Sequence, residues 1–230
     1  MAVRGVLIDF SGTLFRLDFN LGDAWRHSLE EAGVPIPDLD EQAELMRVLT
    51  SPVQPLQDLP PDLVDAWHRR DLDEQIHRKV YLGMLERSGV ADRALAEACY
   101  AQVLDTDSWQ PYPDAKAALE LLRAKGLPVA VVSNIAFDIR PAFERVGLAG
   151  LVNEFVLSYV EGSMKPDAKI FRIACDRLGI DPAEALMIGD SAEADGGAAA
   201  LGSEVRIIEA LSPATRPDGL LTALASAGIS

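Results

Sequence analysis

Gly5-Val6-Leu7-Ile8-Asp9-Phe10-Ser11-Gly12-Thr13 is a short apolar run that stops at an acid and a turn-forming Ser-Gly-Thr. A continuous apolar run of this length, bounded by turn residues, is the pattern of a strand buried on both faces, as in a parallel sheet. The same pattern recurs at residues 128–132, 154–160, 185–188 and 205–208. Amphipathic helical patterns lie between the later runs. In residues 113–125, Ala115, Ala118, Leu119 and Leu122 fall on one face, and Gly126 follows. Residues 139–146, 167–178 and 196–201 are likewise followed by Gly147, Gly179 and Gly202, each placed to end a helix. Strand and helix alternate, which predicts an α/β fold with a doubly wound parallel sheet and a ligand site at the carboxyl ends of the strands.

The first strand breaks the rhythm, because roughly a hundred residues separate it from the next run, far beyond an ordinary crossover. Within residues 16–108 the patterns are helical, at 21–32, 39–49, 62–70, 72–87 and 91–104. A proline-rich passage at 52–61 interrupts them and cannot continue a helix. The expected organisation is a core from residues 1–15 and 109–230 with an inserted all-α domain at 16–108.

Composition limits the partners. With 49% apolar and 25% charged residues, the chain has the balance of a globular protein with a packed core. A formal net charge of -15 without a local Lys/Arg cluster argues against nucleic acid and anionic membrane surfaces as partners. Cys99 and Cys175 each sit in an apolar-periodic stretch and read as core thiols, which implies a reducing, cytoplasmic setting. No stretch is long and apolar enough to span a bilayer. Trp25, Trp67 and Tyr81 read as core, and His27, His68 and His77 as structural or solvated. Arg69 and Arg70 read as surface charge.

The strand ends carry one kind of chemistry. Asp9 to Thr13 follow the first strand, Ser133-Asn134 end the second, Lys165-Pro166-Asp167 come after the third, and Gly189-Asp190-Ser191 end the fourth, with Asp195 close behind. Taken singly, each has an ordinary reading as a turn, a cap or a solvated loop. Gathered on one sheet edge, the carboxylates repel one another and call for a cation, and oxygen ligands of this type suit Mg²⁺. Pro166 reads as the first residue of a helix, which would set Lys165 at the positive end of its dipole and favour an anion there.

Residues 9–14, 131–134, 165–171 and 189–195 resemble the four ordered motifs of haloacid dehalogenase-like hydrolases, and the helical insertion is similar to that family's C1-type cap. The resemblance implies a Rossmann-like core and a Mg²⁺-dependent phosphatase working through an aspartyl-phosphate intermediate on a small phosphorylated metabolite. It makes Asp9 the nucleophile. Asp9, the Ser11 carbonyl and Asp190 would hold Mg²⁺, with Asp195 as a further or outer acid. Thr13, Ser133, Asn134 and Lys165 would bind the phosphoryl group, and Arg16 is a candidate to face the substrate. A monomer or homodimer is expected.

Ser11 departs from the pattern, because phosphatases of this family carry a second aspartate there as general acid and base. Losing such a group typically costs about 10²–10⁴-fold. Four explanations stand open: a substrate with a good leaving group, another acid such as Asp18 or a cap residue, cleavage of a carbon–halogen bond in a halogenated metabolite, or binding without turnover. Dehalogenases proper carry a tyrosine at this position and work without metal, so having both Asp190 and Asp195 favours the metal-dependent branch.

Overall fold

A computed structural model describes residues 2–17, 29–31, 33–38, 40–42, 45, 49 and 60–230. The chain divides into two compact units, Met1–Arg16 with Trp109–Ser230, and Leu17–Ser108.

In the first unit the apolar runs become strands. β1 (Gly5–Ile8) is buried throughout, as a run without polar alternation requires. β2 (Phe15–Leu17) pairs with β3 (Trp109–Pro111) in a small two-stranded sheet that the sequence patterns do not anticipate. The principal sheet is completed by β4 (Val129–Ser133), β5 (Glu154–Leu157), β6 (Ala185–Gly189) and β7 (Glu204–Ile207). Its order is β5-β4-β1-β6-β7, and every pairing is parallel. The fold is therefore the doubly wound, Rossmann-like sheet expected. Side chains alternate in direction along a strand. Leu7, Ala130, Val132 and Met187 enter one apolar cluster with Ile170, Phe171, Ala174 and Cys175. The residues of opposite parity, Val6, Ile8, Val131, Leu186 and Ile188, are equally buried, so the central strands β4, β1 and β6 are covered on both faces.

The helices of the second unit are α1 (Pro61–Trp67), α2 (Glu74–Arg87) and α3 (Arg93–Leu104). Asp73 and Asp92 cap the latter two by accepting from the second and third backbone N–H groups of each helix. Residues 29–31, 40–42, 45 and 49 are also helical. The rest of the patterns at 21–32 and 39–49, residues 52–59 of the proline-rich passage, and Asp18, Trp25 and His27 lie outside the described residues. Trp67 and Tyr81 are buried as expected, while His77 stacks on Tyr81 at 4.2 Å and bonds Tyr100 Oη through Nδ1 at 2.9 Å. Burial, then the Arg70 charge, pushes His77 down to about 3, so it is a neutral core group. Arg70 is not plain surface charge, since its guanidinium lies 3.8 Å over the Trp67 ring.

The remaining helices of the first unit are α4 (Ala115–Ala124), α5 (Arg140–Arg145), α6 (Ser158–Glu161), α7 (Ala168–Leu178) and α8 (Gly219–Ser226). Three expectations need correction. The run at 154–160 is a strand only to Leu157, because Ser158 turns the chain into α6. Residues 195–201 form a 3-10 helix instead of an α-helix, with Gly197 so close to Pro166 that a Cβ would collide with it. Pro166 does not begin a helix. It sits in a turn after a cis peptide bond, and α7 starts at Ala168, with the Asp167 side chain as its cap. Cys99 and Cys175 are free and buried, as read from the sequence. Among the described residues no helix is long and apolar enough to cross a membrane.

Candidate active site

The topology explains why the polar strand ends meet. β4 lies on one side of β1 and β6 on the other, so the chain leaves the central strand in opposite directions and opens a crevice at the carboxyl ends. Asp9 stands at that point, one residue beyond β1, with its backbone N–H donating to Ile188 O at 2.9 Å. Its side chain is buried, with only 5% of the residue exposed.

Lys165 reaches the same place from the loop between α6 and α7. Its Nζ donates to Asp9 Oδ1 and to Asp195 Oδ1, both at 2.6 Å, and all three side chains are buried. Asp195 Oδ2 accepts from Ser191 N at 2.9 Å, so both oxygens of this acid are occupied. Its place against the end of β6 exists because residue 189 is glycine, where a Cβ would collide with the Asp195 carboxyl. Asp190 completes the group: Asp9, Asp190 and Asp195 each offer a carboxylate oxygen, all within 4.8 Å of one another.

This crowding changes the protonation of the site. Burial, reinforced by Asp195 and Asp190 and opposed by Lys165, raises Asp9 to about 7. Burial and then Asp195 raise Asp190 to about 6. Burial alone would lower the lysine, but the Asp9 and Asp195 charges overcome it and hold Lys165 above its ordinary value. One ammonium offsets one of three carboxylates, which leaves an all-oxygen, negatively charged cluster. Such a donor set fits Mg²⁺, a hard cation bound by one or two carboxylates with room for water and substrate oxygens.

The other expected residues divide. Ser133, at the end of β4, is buried beside this edge. Asn134 is committed to Lys165: its Nδ2 donates to Lys165 O at 2.9 Å and its Oδ1 accepts from Lys165 N at 2.7 Å. These reciprocal bonds fit it to orient the lysine, where the sequence suggested phosphate binding. Ser11 is exposed, and its backbone forms an isolated bridge with Phe15. Thr13 is fully buried, with no hydrogen-bond partner for its hydroxyl among the described residues. Arg16 lies half-buried in β2. Gly12 has φ +75°, and a Cβ there would run into the Asp190 carboxylate, so only glycine serves at this turn.

Sequence reasoning missed Arg216 and Tyr112. Arg216 donates through Nη1 to Gly12 O at 2.7 Å and through Nη2 to Thr13 O at 2.8 Å. Its guanidinium carbon lies 3.2 Å from the centre of the Tyr112 ring. No local pattern marks either residue, because the partners are remote in sequence, with 204 positions between Arg216 and Gly12.

Comparison with known proteins agrees with the fold. Over 120 residues the chain is 32% identical to phosphoserine phosphatase of Thermus thermophilus, covering 51% of this chain and 47% of that one. It is 33% identical over 124 residues to (S)-2-haloacid dehalogenase 4A of Burkholderia cepacia, covering 53% and 50%. The match thus spans about half the length of these curated relatives. Its fold is similar to that of a HAD phosphatase from Thermococcus onnurineus, with a TM-score of 0.56 at 23% identity over 90% of this chain and 86% of that one. The family model for haloacid dehalogenase-like hydrolases matches residues 3–202, and the chain belongs to that family of hydrolases.

Proposed function

We propose that the chain is a Mg²⁺-dependent phosphatase of small phosphorylated metabolites, with Asp9 as nucleophile and the helical insertion as a cap that selects the substrate. The observation that carries this reading is the buried bridge from Lys165 to Asp9 and Asp195 beside Asp190, a site whose charge calls for both a cation and an anionic substrate. Asp9, Asp190 and the Ser11 carbonyl would hold Mg²⁺, with Asp195 outside them. When bound, the ion supplies positive charge to offset the carboxylates and the phosphoryl oxygens.

Lys165 restrains Asp9 through one oxygen and leaves the other to attack. The new bond joins that oxygen to phosphorus while the bond to the leaving alcohol breaks. The alcohol departs with the electron pair and takes a proton from water. A second water then attacks phosphorus, releasing inorganic phosphate and restoring the Asp9 carboxylate. Ser133 and Lys165 bind the phosphoryl oxygens. Because Ser11 supplies no acid, substrates with good leaving groups should turn over best.

The test is p-nitrophenol release from p-nitrophenyl phosphate with Mg²⁺ and with EDTA, since this leaving group departs without a general acid. Turnover should require both Mg²⁺ and Asp9. A folded protein that binds Mg²⁺ yet shows no release above the Asp9→Asn variant would sink the reading. Ser11 also favours a second reading, dehalogenation through an aspartyl ester, because a departing halide needs no proton. Metal-independent halide release from a 2-haloacid would establish that branch instead.

The raised carboxyls give a further expectation. Asp9 and Asp190 are held above their ordinary values, to about 7 and about 6. The folded state therefore binds their protons more tightly than the unfolded chain does, and metal-free stability falls as pH rises from about 4 to about 7. Cation binding displaces those protons, so Mg²⁺ affinity should strengthen across the same window, by up to about tenfold per pH unit for each proton released. Titration calorimetry in buffers of different ionisation enthalpy measures that release directly. Affinity independent of pH would remove the carboxylates from the metal site.

A further inference from the structure

Arg216 lies in the loop between β7 and α8, and 6% of the residue is exposed. Its two terminal nitrogens take the carbonyls of consecutive residues, Gly12 and Thr13, at 2.7 and 2.8 Å, and Nη1 also reaches Glu209 O at 3.4 Å. Tyr112, under the guanidinium face, is held in turn: its N–H donates to Leu14 O at 2.9 Å and its hydroxyl to Leu211 O at 3.0 Å. Gly219 makes room for the arginine, since a Cβ there would press on its Cγ and Cδ. Asp114 anchors the adjoining helix by accepting from Leu220 N and Leu221 N through Oδ2, at 2.7 and 3.1 Å.

Arg216 and Tyr112 together grip three successive carbonyls, Gly12, Thr13 and Leu14, on the turn that leaves Asp9. A planar guanidinium fixes the relative direction of its two acceptors, and charge-assisted bonds of this length are the strong ones. The same turn carries the Ser11 carbonyl and the glycine packed against Asp190. Within the turn itself Gly12 N donates to Phe15 O, and Leu14 N and Phe15 N donate to Phe10 O, so Arg216 and Tyr112 are what tie it to the rest of the core.

We propose that Arg216 is a positioning residue for the nucleophile, clamping the Gly12–Thr13 turn with Tyr112 so that Asp9 and the Ser11 backbone hold the geometry of displacement. The inference rests on the nucleophilic role proposed for Asp9. Small misplacements of a reacting group cost up to about 10²-fold in rate. In the full chain, Arg216→Ala should lower kcat for p-nitrophenyl phosphate by about 10–100-fold with KM changed less than about threefold. Arg216→Lys should lose less, and guanidinium ion at millimolar concentration should restore part of kcat in Arg216→Ala but none in Asp9→Asn. All assays are run well below each variant's melting temperature.

Amide hydrogen exchange provides a readout independent of activity, with faster exchange expected at residues 11–14 in Arg216→Ala and little change in β4. Wild-type kcat in a folded Arg216→Ala variant, or unchanged exchange at residues 11–14, would overturn the proposal. A kcat loss without guanidinium rescue, with exchange raised over the whole core, would assign Arg216 to stability alone and overturn it as well. Wild-type turnover that persists in Asp9→Asn would instead remove the nucleophile reading on which the clamp depends.

Discussion

Asp9→Asn is expected to reduce Mg²⁺-dependent phosphatase turnover by at least about 10⁴-fold while leaving the protein folded, in keeping with the loss typical when an attacking group is removed. The amide keeps the shape of the side chain but cannot attack phosphorus. Stability should change little, because two effects oppose. Lys165 loses one of its two carboxylate partners but keeps Asp195 at 2.6 Å. The variant also escapes the cost of a buried charge beside Asp190 and Asp195, the cost that raises the Asp9 carboxyl. A change within about 1 kcal/mol, or about 2–4 °C in melting temperature, is expected near neutral pH. Steady-state kinetics and thermal unfolding on the same preparation decide it. Residual turnover within tenfold of wild type would mean that another group attacks.

Lys165→Met should damage stability and activity together. Lys165 is buried between two carboxylates, and removing it leaves both without their shared cation. Breaking a buried pair by deleting one partner costs about 3–5 kcal/mol, which corresponds to roughly 6–20 °C in melting temperature. Adding Asp195→Asn should return part of that stability, since one unpaired buried charge is gone, but no activity, because the cation proposed to meet the phosphoryl group is still missing. A double-mutant cycle from chemical denaturation isolates this coupling. Additive losses for Lys165→Met and Asp195→Asn would show that the bridge is not an energetic unit. Mg²⁺ should stabilise Lys165→Met more than wild type, since the ion takes over part of the lost neutralisation.

The strands and their polar ends were legible in the sequence because they follow from local rules. The runs that become β1, β4 and β6 are short, apolar and bounded by turn residues, as strands covered on both faces require, whereas the edge strand β7 (Glu204-Val205-Arg206-Ile207) alternates and is only partly buried. The left-handed glycines 179 and 202 mark real helix ends for a similarly local reason. The structure differs at one strand boundary, in the type of one helix and in one helix without a sequence signal. Residues 158–160 are apolar enough to extend a strand, yet Ser158 Oγ bonds Ile135 N and O at 2.9 and 3.1 Å and turns the chain aside. The 3-10 geometry after Asp195 answers to Pro166 packed against Gly197, a contact that helix propensity does not encode. The helix α8 was not anticipated, since Leu220, Leu221, Ala223 and Leu224 follow one another too closely to show a polar face.

The sequence by itself determined the α/β alternation, the long insertion after the first strand and the acids and lysine that would stand at the strand ends, because periodicity and turn chemistry act over a few residues. The partners of those groups were decided only by the tertiary structure. Lys165 bridges acids 156 and 30 positions away, Asn134 is taken up by the lysine backbone 31 positions on, and Arg216 closes on Gly12 across 204. Such bonds depend on which loops the strand order brings together at one edge of the sheet, and a chain read residue by residue contains no period that records that meeting.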